Sequence, residues 1–120
     1  MKNKSRKQSL LPRFRIQCGT VIAFGPGKAD LLEALQKTGS ITKASALLGM
    51  SYMRAWTLIR TMNRCFKEPL VVAVRGGMRG GGGAKLSEAG RQVLALYRRM
   101  ERKSIETTAP DWQKLQKLLK

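Results

Sequence analysis

The side chains available for chemistry in this 120-residue chain are hydroxyls, guanidiniums and ammoniums; histidine is absent. Cys18 and Cys65 therefore have no imidazole to take a proton, and no two carboxylates are placed to share a site. Nucleophilic and general acid–base catalysis have no machinery to work with. Metal-ligand spacing is absent too, so neither catalytic nor metal residues are expected. What remains is donor chemistry in excess. Lys plus Arg number 24 against 7 Asp plus Glu, a net charge of +17. Such a chain binds polyanions, because each phosphate contact releases condensed counterions. An anionic membrane surface would call for one basic amphipathic helix, whereas this charge is spread over several segments.

The donors fall into three groups. Ser40, Thr42 and Lys43 lie at the start of one short segment. Ser51, Tyr52, Arg54, Trp56, Thr57 and Arg60 open the next. Arg75, Arg79 and Lys85 flank a run of glycines. A capping serine offers its hydroxyl and a helix N-terminus to a phosphate. An arginine can bond guanine with two donors, and a threonine can meet a thymine methyl. Glycines let backbone amides approach phosphates closely.

The elements that must hold these groups can be read from periodicity. Ser40 caps a short helix with small residues, Ala44 and Ser45, in its middle and Gly49 at its end; Ser51 caps the next. That helix, over 52–67, buries Ala55, Ile59, Met62 and Phe66 at i, i+4, i+7 and i+11, leaving Tyr52, Met53, Trp56, Thr57 and Arg60 outside. Leu70 to Arg75 reads as a strand and the glycines of 76–84 as a wing. Two short helices at a tight turn present the second outward, where a DNA major groove can receive it. Upstream, Arg13 to Cys18 alternates as a strand with Phe14, Ile16 and Cys18 on one face, Cys18 as a small core residue. Lys28 to Lys37 reads as a helix stopped by Gly39. Downstream, Ser87 opens a helix to about Arg102, with Val93, Leu94, Leu96, Tyr97 and Met100 on its apolar side. A break over 103–110 is marked by Pro110, and 111–120 forms a last amphipathic turn.

The fold class expected is mainly α with a small β-sheet, a winged helix-turn-helix with flanking C-terminal helices. Three regions follow: a basic disordered tail over 1–12, the winged helix-turn-helix over 13–102, and a C-terminal amphipathic helix over 103–120. The tail is either a solvated terminus or an arm on DNA backbone. The run ending Gly83-Ala84-Lys85-Leu86-Ser87 fails the phosphate-loop pattern G-x-x-x-x-G-K-S/T at two defining places, which sets nucleotide binding aside. No apolar run approaches the roughly 18 residues that span a bilayer, and no signal-peptide pattern follows the basic start. With two distant cysteines, a reduced cytoplasmic protein is expected.

Residues Ser40 to Tyr97 resemble the N-terminal DNA-binding domain of the ModE-type molybdate-responsive transcriptional regulators, a winged helix related to that of LysR-type regulators. The resemblance is carried by Gly39-Ser40-Ile41, Ala44, Leu48-Gly49-Met50-Ser51-Tyr52, Ala55-Trp56, Ile59, Met62-Asn63, Gly76-Gly77, Gly80 to Ala84, Leu86, Gly90 and Tyr97. It implies a homodimeric winged helix on a palindromic operator in double-stranded DNA, with Ser51, Tyr52, Arg54, Trp56, Thr57 and Arg60 on the recognition helix. The family's regulators continue into C-terminal molybdate-binding domains, for which 120 residues leave no room. The chain is similar to stand-alone members, with no cofactor expected.

Leu31, Leu32, Leu35, the fourth helix with Tyr97, and the Trp112, Leu115, Leu119 stripe expose more apolar surface than one small domain covers. They are the expected contacts of a two-fold dimer. The alternative function is a non-sequence-specific architectural or RNA-binding protein using the same charge. A weaker third is a module docking a protein through Trp56. Specificity separates the first two, since a regulator keeps about a thousandfold preference over random DNA.

Overall fold

The computed structural model describes residues 7–75 and 83–120. Its elements are β1 (Ile16–Cys18), β2 (Val21–Phe24), α1 (Pro26–Thr38), α2 (Ile41–Leu48), α3 (Tyr52–Cys65), β3 (Val71–Val74), β4 (Gly83–Leu86) and α4 (Glu88–Gln116). This is the order of a winged helix-turn-helix, mainly α as expected. The strands form two separate antiparallel pairs, β1 with β2 and β3 with β4, rather than one small sheet.

Each turn of the helical core has a local cause. The oxygens of Ser40, Ser51 and Ser87 accept the backbone N–H of Lys43, Arg54 and Gly90 at 3.2, 3.0 and 3.0 Å. Each such cap stabilises its helix by about 1 kcal/mol. Gly49 ends α2 at φ 70°, a left-handed conformation that suits glycine and turns the chain sharply into α3. Leu31, Leu32 and Leu35 of α1, Ala44 of α2, Ala55, Ile59 and Met62 of α3, and Leu70, Leu86, Leu94 and Tyr97 close over Phe24. The Tyr97 and Phe24 rings meet edge to face at 5.1 Å, and the Tyr97 hydroxyl donates to the Phe14 carbonyl at 2.7 Å.

This core corrects the expected dimer contacts. Leu31, Leu32, Leu35 and Tyr97 are at most 1% exposed within the single chain, so none is left to meet a partner. That apolar surplus is consumed inside the chain, where α1 packs above all on α2 and then on β4, α4, α3 and β2. Of the other expected contacts, Trp112 is half-buried, and Leu115 and Leu119 are exposed.

The expected break at 103–110 is also corrected. α4 is one helix of 29 residues, about 44 Å long at 1.5 Å per residue. Pro110 lies inside it. It deprives the Glu106 carbonyl of its i+4 donor, but both residues are exposed, so water can satisfy that oxygen. Ser104 and Thr108 turn their hydroxyls back onto the carbonyls of Glu101 and Ser104, at 2.9 and 2.6 Å, and stay within the helix.

At the N-terminal end the strand is shorter than read, and Cys18 is exposed rather than core. The buried apolar residues there are Ala23 and Phe24, on β2, beyond a turn at Gly19-Thr20. Residues 7–12 have no regular secondary structure. Leu11 and Pro12 line a cleft of about 330 Å³ with Asp30 of α1 and Glu101 and Ile105 of α4. Beside it, Arg98 bonds Asp30, Glu33 and Glu101 at 2.9, 2.7 and 2.9 Å, pinning α4 to α1. Its hydrogen bond to Glu33 above all holds the guanidinium well above its ordinary pKa, against the opposing effect of burial.

Candidate nucleic-acid interface

The core stripe of α3 decides what the helix shows outside. With Ala55, Ile59 and Met62 buried, the opposite line at i, i+4, i+7 and i+11 is Met53, Thr57, Arg60 and Arg64, all exposed. Toward the wing, Tyr52, Trp56 and Asn63 line a cleft of about 530 Å³, closed on the other sides by Ser40 and Thr42 at the start of α2 and by β3 and β4. Trp56 is 40% exposed and lines this cleft rather than joining the core.

Three hydrogen bonds of Asn63 fix the wing beside α3, and two backbone bonds tie its strands to the α1–α2 turn and to the start of α4. The Asn63 side-chain oxygen accepts the N–H groups of Leu70 and Val71 at 2.8 and 3.2 Å, and its amide donates to the Val71 carbonyl at 3.1 Å. Ala84 N–H donates to the Gly39 carbonyl, and Ser87 N–H to that of Leu70, at 3.0 and 2.9 Å. Helix and wing strands are therefore set relative to each other by bonds, not only by packing. Asn63 was missed as a positioning residue because its partners come from a segment eight residues on, which no local pattern announces.

The expected donors are distributed as follows. Ser40, Thr42, Tyr52 and Trp56 converge on the cleft. Lys43, Thr57, Arg60, Arg75 and Lys85 are exposed, and Lys85 sits opposite Val72 in the wing register. The Ser51 oxygen is engaged as a cap. Arg54 stands apart, on the side of α3 that faces the start of α1. Burial pushes the Lys28 ammonium below its ordinary pKa, with Arg54 adding to the shift, and Cys65 on the same side of α3 opposes it. Arg79 and the wing glycines 76–82 lie outside the described residues. Arg64 was not singled out from the sequence, although its place four residues after Arg60 would have found it.

The charges are segregated. From Ala34 to Lys67 there is no acidic residue, and Lys37, Lys43, Arg54, Arg60, Arg64 and Lys67 are all basic. Among the described residues, carboxylates pair only with Arg91 and Arg98, on α4. Glu68, exposed between α3 and β3, is the one carboxylate from Ala34 to Ser87, and no cation of the described α2, α3 and wing strands forms an ion pair, which leaves a positive potential on that face. Among the described residues no three His, Cys, Asp or Glu side chains gather as a metal ion would require. No helix of the described residues is long and apolar enough to cross a membrane.

Residues 28–91, more than half of the chain, match the family model of bacterial regulatory helix-turn-helix proteins of the lysR family. The chain belongs to that family. Within it, the sequence is similar to the molybdenum transport protein ModE of Azotobacter vinelandii, 42% identical over 91 residues, which are 76% of this chain and 33% of that one. It is similar also to the transcriptional regulator ModE of Yersinia pestis, 38% identical over 97 residues, covering 78% and 36% of the two chains. The DNA-binding transcriptional dual regulator ModE of Escherichia coli K12 matches at 38% over 72 residues, covering 60% and 27%. The chain thus spans about a third of the length of these relatives. The matches bear out the ModE-type resemblance carried by Ser51-Tyr52, Ala55-Trp56 and the wing glycines. The LysR-family match also places α1, α2, α3, both wing strands and the start of α4 in one shared unit.

Proposed function

We propose that this chain is a transcriptional regulator that binds duplex DNA sequence-specifically, with α3 in the major groove and the wing along the adjacent backbone or minor groove. The observation that carries the reading is the outward stripe Met53, Thr57, Arg60, Arg64, beside a bonded wing and free of carboxylates. A helix with its side chains is about 10–12 Å across, and the major groove of B-DNA is about 12 Å wide. The N-terminal half of such a helix meets base edges while hydroxyl caps and flanking cations hold the backbone. The proposal needs no metal or small-molecule cofactor and sets the protein in the cytoplasm with the DNA.

The same reading includes a homodimer on a palindromic operator. Support comes from α4, where Leu96 and Met100, one turn apart on the side away from Leu94 and Arg98, are 51% and 42% exposed on a helix that outruns the core. A second copy would cover such a surface, and two-fold symmetry would repeat α3 on the DNA. Selection from a random duplex pool tests the whole proposal. An enriched inverted repeat, its half-sites one helical turn or a multiple apart, is expected. Enrichment of no sequence would leave the architectural alternative.

A further inference from the structure

We propose that the N-terminal half of α3 reads thymine through its 5-methyl group, with Met53 and Thr57 as the reading pair. This rests on the DNA-binding reading above and goes further, to the chemical group recognised. Met53 and Thr57 are one turn apart on the line opposite the core, and Met53 is 65% exposed. The Thr57 hydroxyl donates to the Met53 carbonyl at 2.9 Å, so its proton is turned back along the helix. What the pair projects is therefore a thioether methyl and a threonine methyl.

The rest of the helix closes the other route to an A·T pair. Adenine is read in the major groove by a side-chain amide that bonds its N6 and N7 together. The one amide in α3 is Asn63, and both its polar atoms are committed to β3. No carboxylate stands on α3 to accept from cytosine. Arginines 60 and 64, farther along the stripe, remain for guanine or phosphate. The apolar group that a base pair offers in the major groove is the thymine methyl. Met53 and Thr57 are built to meet it.

The test uses the full chain and the duplex enriched from a random pool, with each thymine replaced in turn by deoxyuridine, which removes only the methyl. At one or two positions the wild type should bind about three- to fivefold more weakly, the effect of one buried methyl-sized group. Thr57→Ser keeps the hydroxyl and its bond to the helix but loses the methyl. It should bind thymine and deoxyuridine duplexes alike at the position it faces, and Met53→Ala should do so at the neighbouring one. Both residues are exposed, so thermal unfolding of the variants should match the wild type. If the wild type tolerates every deoxyuridine while still preferring its selected duplex, methyl reading is wrong and the DNA-binding reading stands. If no duplex is preferred over random sequence, both fall.

Discussion

Replacing Gly90 by alanine should detach the wing from α4. Gly90 is in the first turn of α4, and a Cβ built there would overlap the Leu70 carbonyl at the foot of β3. That oxygen already accepts Ser87 N–H at 2.9 Å, and Ser87 Oγ in turn accepts Gly90 N–H at 3.0 Å. Neither backbone can yield without breaking these bonds. Losing the first costs about 0.5–1.5 kcal/mol and losing the cap about 1 kcal/mol. Residual overpacking adds about 1–3 kcal/mol. The higher helix propensity of alanine returns only about 0.8–1.0 kcal/mol. The net expectation for Gly90→Ala is a loss of about 2–4 kcal/mol, a fall in Tm on the order of 10 °C. Gly27→Ala is the matched control. Gly27 is in the first turn of α1, and a Cβ there meets nothing within 4 Å. That change should stabilise the protein by up to about 1 kcal/mol. Urea titration followed by circular dichroism measures both. If Gly90→Ala is as stable as Gly27→Ala, the close approach of α4 to β3 is refuted.

Three further changes have defined outcomes. Tyr97→Phe removes the donor to the Phe14 carbonyl and should cost about 1 kcal/mol. Burial, helped by Glu101, pushes the Tyr97 phenol above its ordinary value of 10.0, so above that pH the unfolded chain loses its proton before the folded one does. This contribution to stability is complete below pH 10.0 and is lost as pH rises through the folded pKa. Urea midpoints measured across that range should therefore fall more steeply for the wild type than for Tyr97→Phe. Pro110→Ala restores a donor to the Glu106 carbonyl and should raise Tm and far-UV helicity, by up to about 3 kcal/mol of helix stability; no gain would mean that α4 already bends to accommodate the proline. Arg60→Ala should cost about 1–3 kcal/mol against the selected duplex and relax preference at one or two base pairs. An equal loss on random duplex would assign Arg60 to phosphate instead.

What was legible in the sequence was local. The caps Ser40 and Ser51, the stop at Gly49 and the Ala55, Ile59, Met62 stripe are set by residues within a few positions of one another, and the structure keeps each of them. What was not legible depends on distant partners. Val21 to Phe24 is a four-residue apolar run without alternation, so its pairing with Ile16 to Cys18 left no period to read. Serine, threonine and proline between 103 and 110 look like a loop, yet the helix continues because those side chains bond their own backbone and the proline faces water. Leu31, Leu32 and Leu35 look like surplus surface because what covers α1, α2 above all and then β4, α4, α3 and β2, comes together only in the folded chain. On the interface itself, the convergence of Ser40, Thr42, Tyr52 and Trp56 follows from the helix-turn-helix geometry. The separation of Arg54 from the outward line, and the commitment of Asn63 to the wing, follow from packing that only the folded chain reveals.

The most direct measurement is the affinity for the selected duplex and for a scrambled one of equal length, each across a series of salt concentrations. Plotted as log K against log salt, both lines should slope downward as phosphate contacts release counterions. The selected duplex should lie above the scrambled one by about three decades or more, the separation that base reading by α3 supplies. Two coincident lines would contradict sequence-specific recognition and leave a basic surface that binds any nucleic acid.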